Sequence, residues 1–152
     1  KYVNEYQGLN SRLDELQAAF LDVKLRFLDA ENQRRREVAA YYCKYITNPD
    51  IILPIRNSQS AIQNPKSHVW HLFVTRHPNR DALQKYLMEN GIQTLIHYPI
   101  PPHKQLAYKE WNGKDIPITA LIHREVASLP ISPVISVEEM KKVVKYLNDF
   151  NS

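Results

Sequence analysis

Glycine is scarce in this sequence, with three residues in 152. A loop that cradles phosphate on backbone amides needs several closely spaced glycines, so a glycine-rich nucleotide loop is excluded. No Gly-x-Ser-x-Gly elbow occurs either, which removes a common serine-nucleophile arrangement. Cysteine is scarcer still. Cys43 is the single one, so no internal disulfide and no cysteine-pair zinc site can form. It stands in a tyrosine-rich helical segment with no adjacent base and reads as a core thiol. Six histidines remain as possible ligands. His68 and His71, three apart in a presumed strand, would point to opposite faces, and no carboxylate–histidine spacing accompanies them. A metal centre is not expected. No apolar run approaches the ~20 residues that cross a bilayer, and there is no signal-peptide pattern. A lone cysteine fits a reducing compartment, and a cytoplasmic location is expected.

What is present describes an ordinary soluble domain, 43% hydrophobic and 24% charged, with enough apolar residues to bury a core. The net charge is +4 and the pI near 9.1. Basic residues are dispersed among acidic ones except at Arg34-Arg35-Arg36, which reads as a solvated helix surface rather than a nucleic-acid patch. The chain opens Lys1-Tyr2-Val3-Asn4 without a methionine and is expected to be a piece of something longer. It contains no internal repeat and no low-complexity segment.

Residues 14 to 45 carry apolar residues at threes and fours (Leu13, Leu16, Phe20, Val23, Phe27, Ala30) without Gly or Pro, which predicts one unbroken helix. At 1.5 Å per residue it would span roughly 45 Å. A helix that long bridges two domains or lies in an oligomer interface. Asn48-Pro49-Asp50 ends it. Residues 51–66 read as an irregular connection, with a short strand at 51–53. The β-branched and aromatic run 68–75 predicts a strand, residues 80–89 a helix stopped by Asn90-Gly91, and 92–96 a second strand. A helical turn is expected at 105–108, a helix at 118–127, and one short strand within 128–133. Ser136-Val137-Glu138-Glu139 is a capping box that opens a last amphipathic helix. The predicted class is α/β, of α+β type: a small sheet with helices packed on it behind a long N-terminal helix.

Two stretches carry polar groups of interest. In Gly8-Leu9-Asn10-Ser11-Arg12-Leu13-Asp14-Glu15-Leu16-Gln17-Ala18-Ala19, Asn10 and Arg12 bring an amide and a guanidinium to a helix mouth. That arrangement suits a phosphate, and suits equally a capped helix start with a surface arginine. In His97-Tyr98-Pro99-Ile100-Pro101-Pro102-His103, closely spaced prolines exclude helix and central strand and make a stiff loop leaving a strand end. His97 and Tyr98 can hydrogen-bond sugar hydroxyls or phosphate there, or simply hold the loop.

The first stretch resembles the signature at the start of the small-domain helix in the DegT/DnrJ/StrS-type sugar aminotransferases. The sequence Ile96-His97-Tyr98-Pro99-Ile100-Pro101-Pro102-His103, with Gln105, Ala107 and Tyr108, is similar to the loop of the branch that aminates carbon 3 of dTDP-linked 3-keto-6-deoxyhexoses. Ser128-Leu129-Pro130-Ile131-Ser132-Pro133 and the capped last helix resemble the family's C-terminal end, so the likeness runs through the whole chain. It implies a pyridoxal-phosphate (PLP) enzyme of the aspartate-aminotransferase (type I) fold, whose small domain has a mainly antiparallel sheet, and which acts on nucleotide-linked keto sugars with glutamate as the expected donor. It also implies a homodimer with shared active sites. Residues 1–50 would be a linking helix continuing from a large PLP domain, and 51–152 the C-terminal small domain.

By the same resemblance, Asn10 contacts the PLP phosphate of the neighbouring subunit, Arg12 approaches the substrate there, and His97 and Tyr98 face the hexose. No lysine here stands in the context of the family's Schiff-base lysine; Lys24, Lys44, Lys85 and Lys141 look like helix-surface residues. Transamination needs that lysine, so the chain by itself is expected to be inert, with no catalytic residue of its own. Two alternatives stay open at this point. One is the family's sugar 3-dehydratase, which carries histidine in place of the lysine. The other is a non-enzymatic module that binds an anion or nucleic acid.

Overall fold

Asp14 caps the first helix: its side chain accepts the Gln17 amide at 2.7 Å. The computed structural model describes residues 3–8, 14–54 and 68–151. The helical pattern expected to run unbroken from 14 to 45 divides into α1 (Glu15–Leu25) and α2 (Leu28–Tyr45). At the junction Phe27 N–H bonds back three residues to the Lys24 carbonyl, the tighter spacing that interrupts an α-helical ladder. Neither Gly nor Pro marks the place.

The other elements are β1 (Phe73–Arg76), α3 (Arg80–Glu89), two 3₁₀ turns (Pro102–Lys104 and Leu106–Trp111), α4 (Pro117–Glu125), β2 (Val126–Leu129) and α5 (Val137–Asp149). The sheet is antiparallel, as expected, and smaller than expected. Among the described residues it has two strands, with Phe73 opposite Leu129 and Val74 opposite Ser128. The run 68–75 does not form one strand, because Trp70 takes a φ of 50° and its N–H bonds His68 Nδ1 at 2.9 Å. That local turn competes with the sheet ladder. The strands expected at 51–53 and 92–96 contract to single bridges, Ile52 with Arg76 and Leu95 with Ser128. The helix expected at 118–127 ends at Glu125 so that Val126 and Ala127 can join β2. The domain is therefore mostly helical.

Its core lies between the second half of α2, α3, α5 and one face of the two strands, where Val38, Tyr42, Phe73, Leu83, Leu87 and Leu147 are fully buried. The Tyr42 hydroxyl donates to the Pro130 carbonyl at 2.9 Å, and burial pushes the phenol pKa up. Burial likewise raises the Cys43 thiol, in keeping with a core cysteine. Two asparagines tie α2 to the end of α5. Asn48 Nδ2 donates to the Leu147 and Phe150 carbonyls, and Asn148 Oδ1 accepts the Thr47 and Asn48 amides. Arg76 on β1 pairs with the largely buried Glu125 at 2.6 Å, which holds the end of α4 to the sheet. The arginine run is more engaged than a solvated face: Arg34 bonds Glu37 and the Ile135 carbonyl, and Arg35 pairs with Glu31.

The capping box at α5 is complete, with Ser136 Oγ accepting the Glu139 amide and Glu139 Oε2 accepting the Ser136 amide. The Ser136 main-chain N–H donated to Glu139 Oε2 is the chief cause that holds this carboxyl below the usual carboxylate range. A depressed folded-state pKa stabilises the protein above the unfolded value, and that contribution fades as pH falls through the folded one. Ser136→Ala is expected to cost about 1 kcal/mol in denaturant unfolding at neutral pH. Glu139→Gln, which removes the titrating carboxyl, should lose less stability than wild type between neutral and acid pH; parallel pH curves for the two would argue against the linkage.

By contrast, α1 buries nothing within this chain. Leu16, Phe20 and Leu25 are each at least 60% exposed. Among the described residues no helix is long and apolar enough to cross a membrane.

Candidate functional site

The chain leaves its bridge to β2 at Leu95 and turns at once into His97-Tyr98, whose peptide bond is cis. Pro101 and Pro102 then set the first 3₁₀ turn; proline is tolerated at the first helical position, where its missing N–H costs nothing. A cleft of about 620 Å³ opens beside this loop, lined by His97, Tyr98, His123, Gln105, Tyr108 and Trp111 among others. That volume lies within the range of small-molecule sites.

Each wall is held by a different element. His97 Nδ1 lies 2.9 Å from Ser128 Oγ of β2. The Tyr98 carbonyl accepts from His123 Nδ1 of α4. Tyr98 itself is 54% exposed at the cleft. The Tyr108 and Trp111 rings stack with centroids 4.6 Å apart, and Lys114 Nζ stands 4.9 Å from the Trp111 ring. Gln105 Oε1 accepts the Asn4 amide at 3.0 Å, and the Asn4 carbonyl accepts the Ala107 amide at 2.8 Å. The backbone approaching Gly8 is thereby tied to the cleft wall.

Of the four residues singled out in the sequence, His97 and Tyr98 meet in this cleft. Asn10 and Arg12 lie outside the described residues. Gln105 and Tyr108 already stand in the loop pattern quoted above. His123 carries no local signal, and Ser128 stands in a quoted stretch that gives no hint of the loop; α4 and β2 deliver them from elsewhere in the chain. The cleft offers imidazole, phenol, indole and amide groups, a donor and acceptor set suited to hydroxyls. No lysine lines it, so its described residues do not fit covalent attachment of a carbonyl cofactor. Among the described residues no cluster of His, Cys, Asp and Glu could hold a metal ion.

Residues 1–148 match the DegT/DnrJ/EryC1/StrS aminotransferase family. The chain belongs to that family. Among its relatives in these aminotransferases, the dTDP-3-amino-3,6-dideoxy-alpha-D-galactopyranose transaminase of Aneurinibacillus thermoaerophilus is 58% identical over 150 residues, 99% of this chain and 40% of that protein. The dTDP-3-amino-3,4,6-trideoxy-alpha-D-glucose transaminase of Streptomyces venezuelae is 37% identical over 99% of this chain and 39% of that protein. The fold matches part of solved aminotransferases too. The S. venezuelae DesV structure with a ketimine intermediate superimposes with a TM-score of 0.79 at 37% identity, over 98% of this chain and 39% of that one. Bacillus subtilis NtdA, solved with bound PMP, gives 0.76 at 30% identity, over 92% of this chain and 33% of that one. The chain thus spans about 40% of the length of the curated relatives it matches.

Proposed function

We propose that this chain is the C-terminal small domain of a PLP-dependent aminotransferase that aminates a dTDP-linked 3-keto-6-deoxyhexose, and that the His97–Tyr98 cleft is its sugar-facing wall. The observation that carries the reading is the 58% identity, over nearly the whole chain, to a dTDP-3-amino-3,6-dideoxy-alpha-D-galactopyranose transaminase. The cleft chemistry supports it, since half-buried imidazoles and an exposed phenol suit the hydroxyls of a sugar. PLP, when bound, carries the amino group between donor and acceptor. In this chain Asn10 would touch its phosphate and Arg12 the sugar nucleotide, both in the partner's site of a homodimer; glutamate is the proposed donor.

Residues 1–50, with α1 and α2 in place of one unbroken helix, act as the linking segment and 51–152 as the small domain. The uncovered apolar residues of α1 support that assignment, because such a face needs protein against it. With the Schiff-base lysine on the large domain, the chain alone is catalytically inert. The experiment is steady-state kinetics on the full-length enzyme with His97→Ala. The sugar-nucleotide KM is expected to rise about 3- to 10-fold, the worth of one neutral hydrogen bond, with the amino-donor KM unchanged. Equal KM values in mutant and wild type would remove His97 from the sugar site.

A further inference from the structure

His97 and His123 are held by acceptors of different kinds. The partner of His123 Nδ1 is a carbonyl, which only accepts, so that nitrogen carries the proton and Nε2 is left as an acceptor. The partner of His97 Nδ1 is the Ser128 hydroxyl, which can donate or accept. Among the described residues His97 Nε2 has no hydrogen-bond partner, and the ring lines the cleft. Ser128 is itself fixed. It is 5% exposed, sits opposite Val74 in the sheet, and exchanges two backbone hydrogen bonds with Leu95, at 2.7 and 3.2 Å. Leu95 lies two residues before His97, so one serine grips the loop through its main chain and the imidazole through its side chain.

We propose that Ser128 is a positioning residue for the sugar-facing histidine: its hydroxyl fixes the plane of the His97 ring and leaves both tautomers open. His97 Nε2 can then donate to a sugar hydroxyl or accept from one, whichever the bound hexose presents. A carboxylate in the place of Ser128 would fix the proton on Nδ1 and remove that choice. The inference rests on the sugar-site reading above, and its test separates the two.

Ser128→Ala and Ser128→Thr are made in the full-length enzyme beside His97→Ala, with the sugar nucleotide and the amino donor varied in turn. Ser128→Ala is expected to raise the sugar-nucleotide KM about 3- to 10-fold with kcat within about twofold and the donor KM unmoved, and Ser128→Thr, which keeps the hydroxyl, to restore it. A hydroxyl that merely satisfies its own burial would lower Tm and leave KM alone. Nitrogen-15 spectra of the histidine-labelled protein give the second readout: the His97 Nδ1 resonance should move in Ser128→Ala. A stationary resonance overturns the proposal even if the threonine variant fails to fold. If His97→Ala impairs sugar binding and Ser128→Ala does not, the positioning role falls and the site stands. If neither impairs it, the sugar-site reading falls and the positioning role with it.

Discussion

Arg12→Ala in the full-length aminotransferase proposed for this chain is expected to raise the sugar-nucleotide KM about 10- to 100-fold. The size follows from the chemistry. A guanidinium reaching a phosphate or a sugar oxygen makes charge-assisted hydrogen bonds, worth about 1.5–3 kcal/mol each, and alanine replaces none of them. Arg12→Lys should recover only part of the loss, since an ammonium keeps the charge without the planar fork. The amino-donor KM should move far less, which separates a lost substrate contact from general damage. Asn10→Ala discriminates further: it should loosen PLP on dialysis, where Arg12→Ala should not. Unchanged KM values for both substrates would remove Arg12 from the site.

The largest stability effect is expected at Phe73. Its ring is fully buried, 5.4 Å from Trp70 in a stacked pair and 5.3 Å from Tyr42 edge-on. Phe73→Ala removes those ring contacts and leaves a cavity between α2 and the sheet, at a cost of about 3–5 kcal/mol. For a chain of this size each kcal/mol lowers Tm by roughly 2–4 °C, so a fall of roughly 6–20 °C is expected in a thermal melt. Phe73→Leu, which fills more of the space, should lose distinctly less. The effect reaches the candidate site by a short route. Phe73 opposes Leu129, the next residue, Val74, opposes Ser128, and Ser128 holds His97. A melt within about 1 kcal/mol of wild type would mean that the core closes over the gap and Phe73 does not anchor the sheet.

How much of this was legible beforehand depends on the distance over which each feature is decided. Helix α3 ends at Asn90-Gly91 as expected, with Gly91 at a φ of 71° that glycine accepts without strain. The start of α5 was equally legible, because Ser136 and Glu139 satisfy each other's amides three residues apart. Such features involve groups within one turn of each other. The strands behave differently. Residues 68–72 have strand composition, yet the His68 side chain captures the Trp70 amide and shortens β1. Residues 92–96 also have strand composition, and only Leu95 finds a partner across the chain. The break at residues 26–27 carries no marker residue at all.

The candidate site divides along the same line. His97, Tyr98, Gln105 and Tyr108 stand within one proline-stiffened stretch, so the sequence alone picks out that loop and, through its patterns, the aminotransferase family to which the chain belongs. It also determined where α3 ends and where α5 starts. Only the tertiary structure decided that His123 comes to the Tyr98 carbonyl and Ser128 to the His97 ring. Those residues lie 25 and 31 positions from their partners. Caps and stiff loops depend on neighbours fixed by covalent geometry. Strand ends and imidazole partners depend on which distant backbone arrives, and that is settled by packing of the whole core.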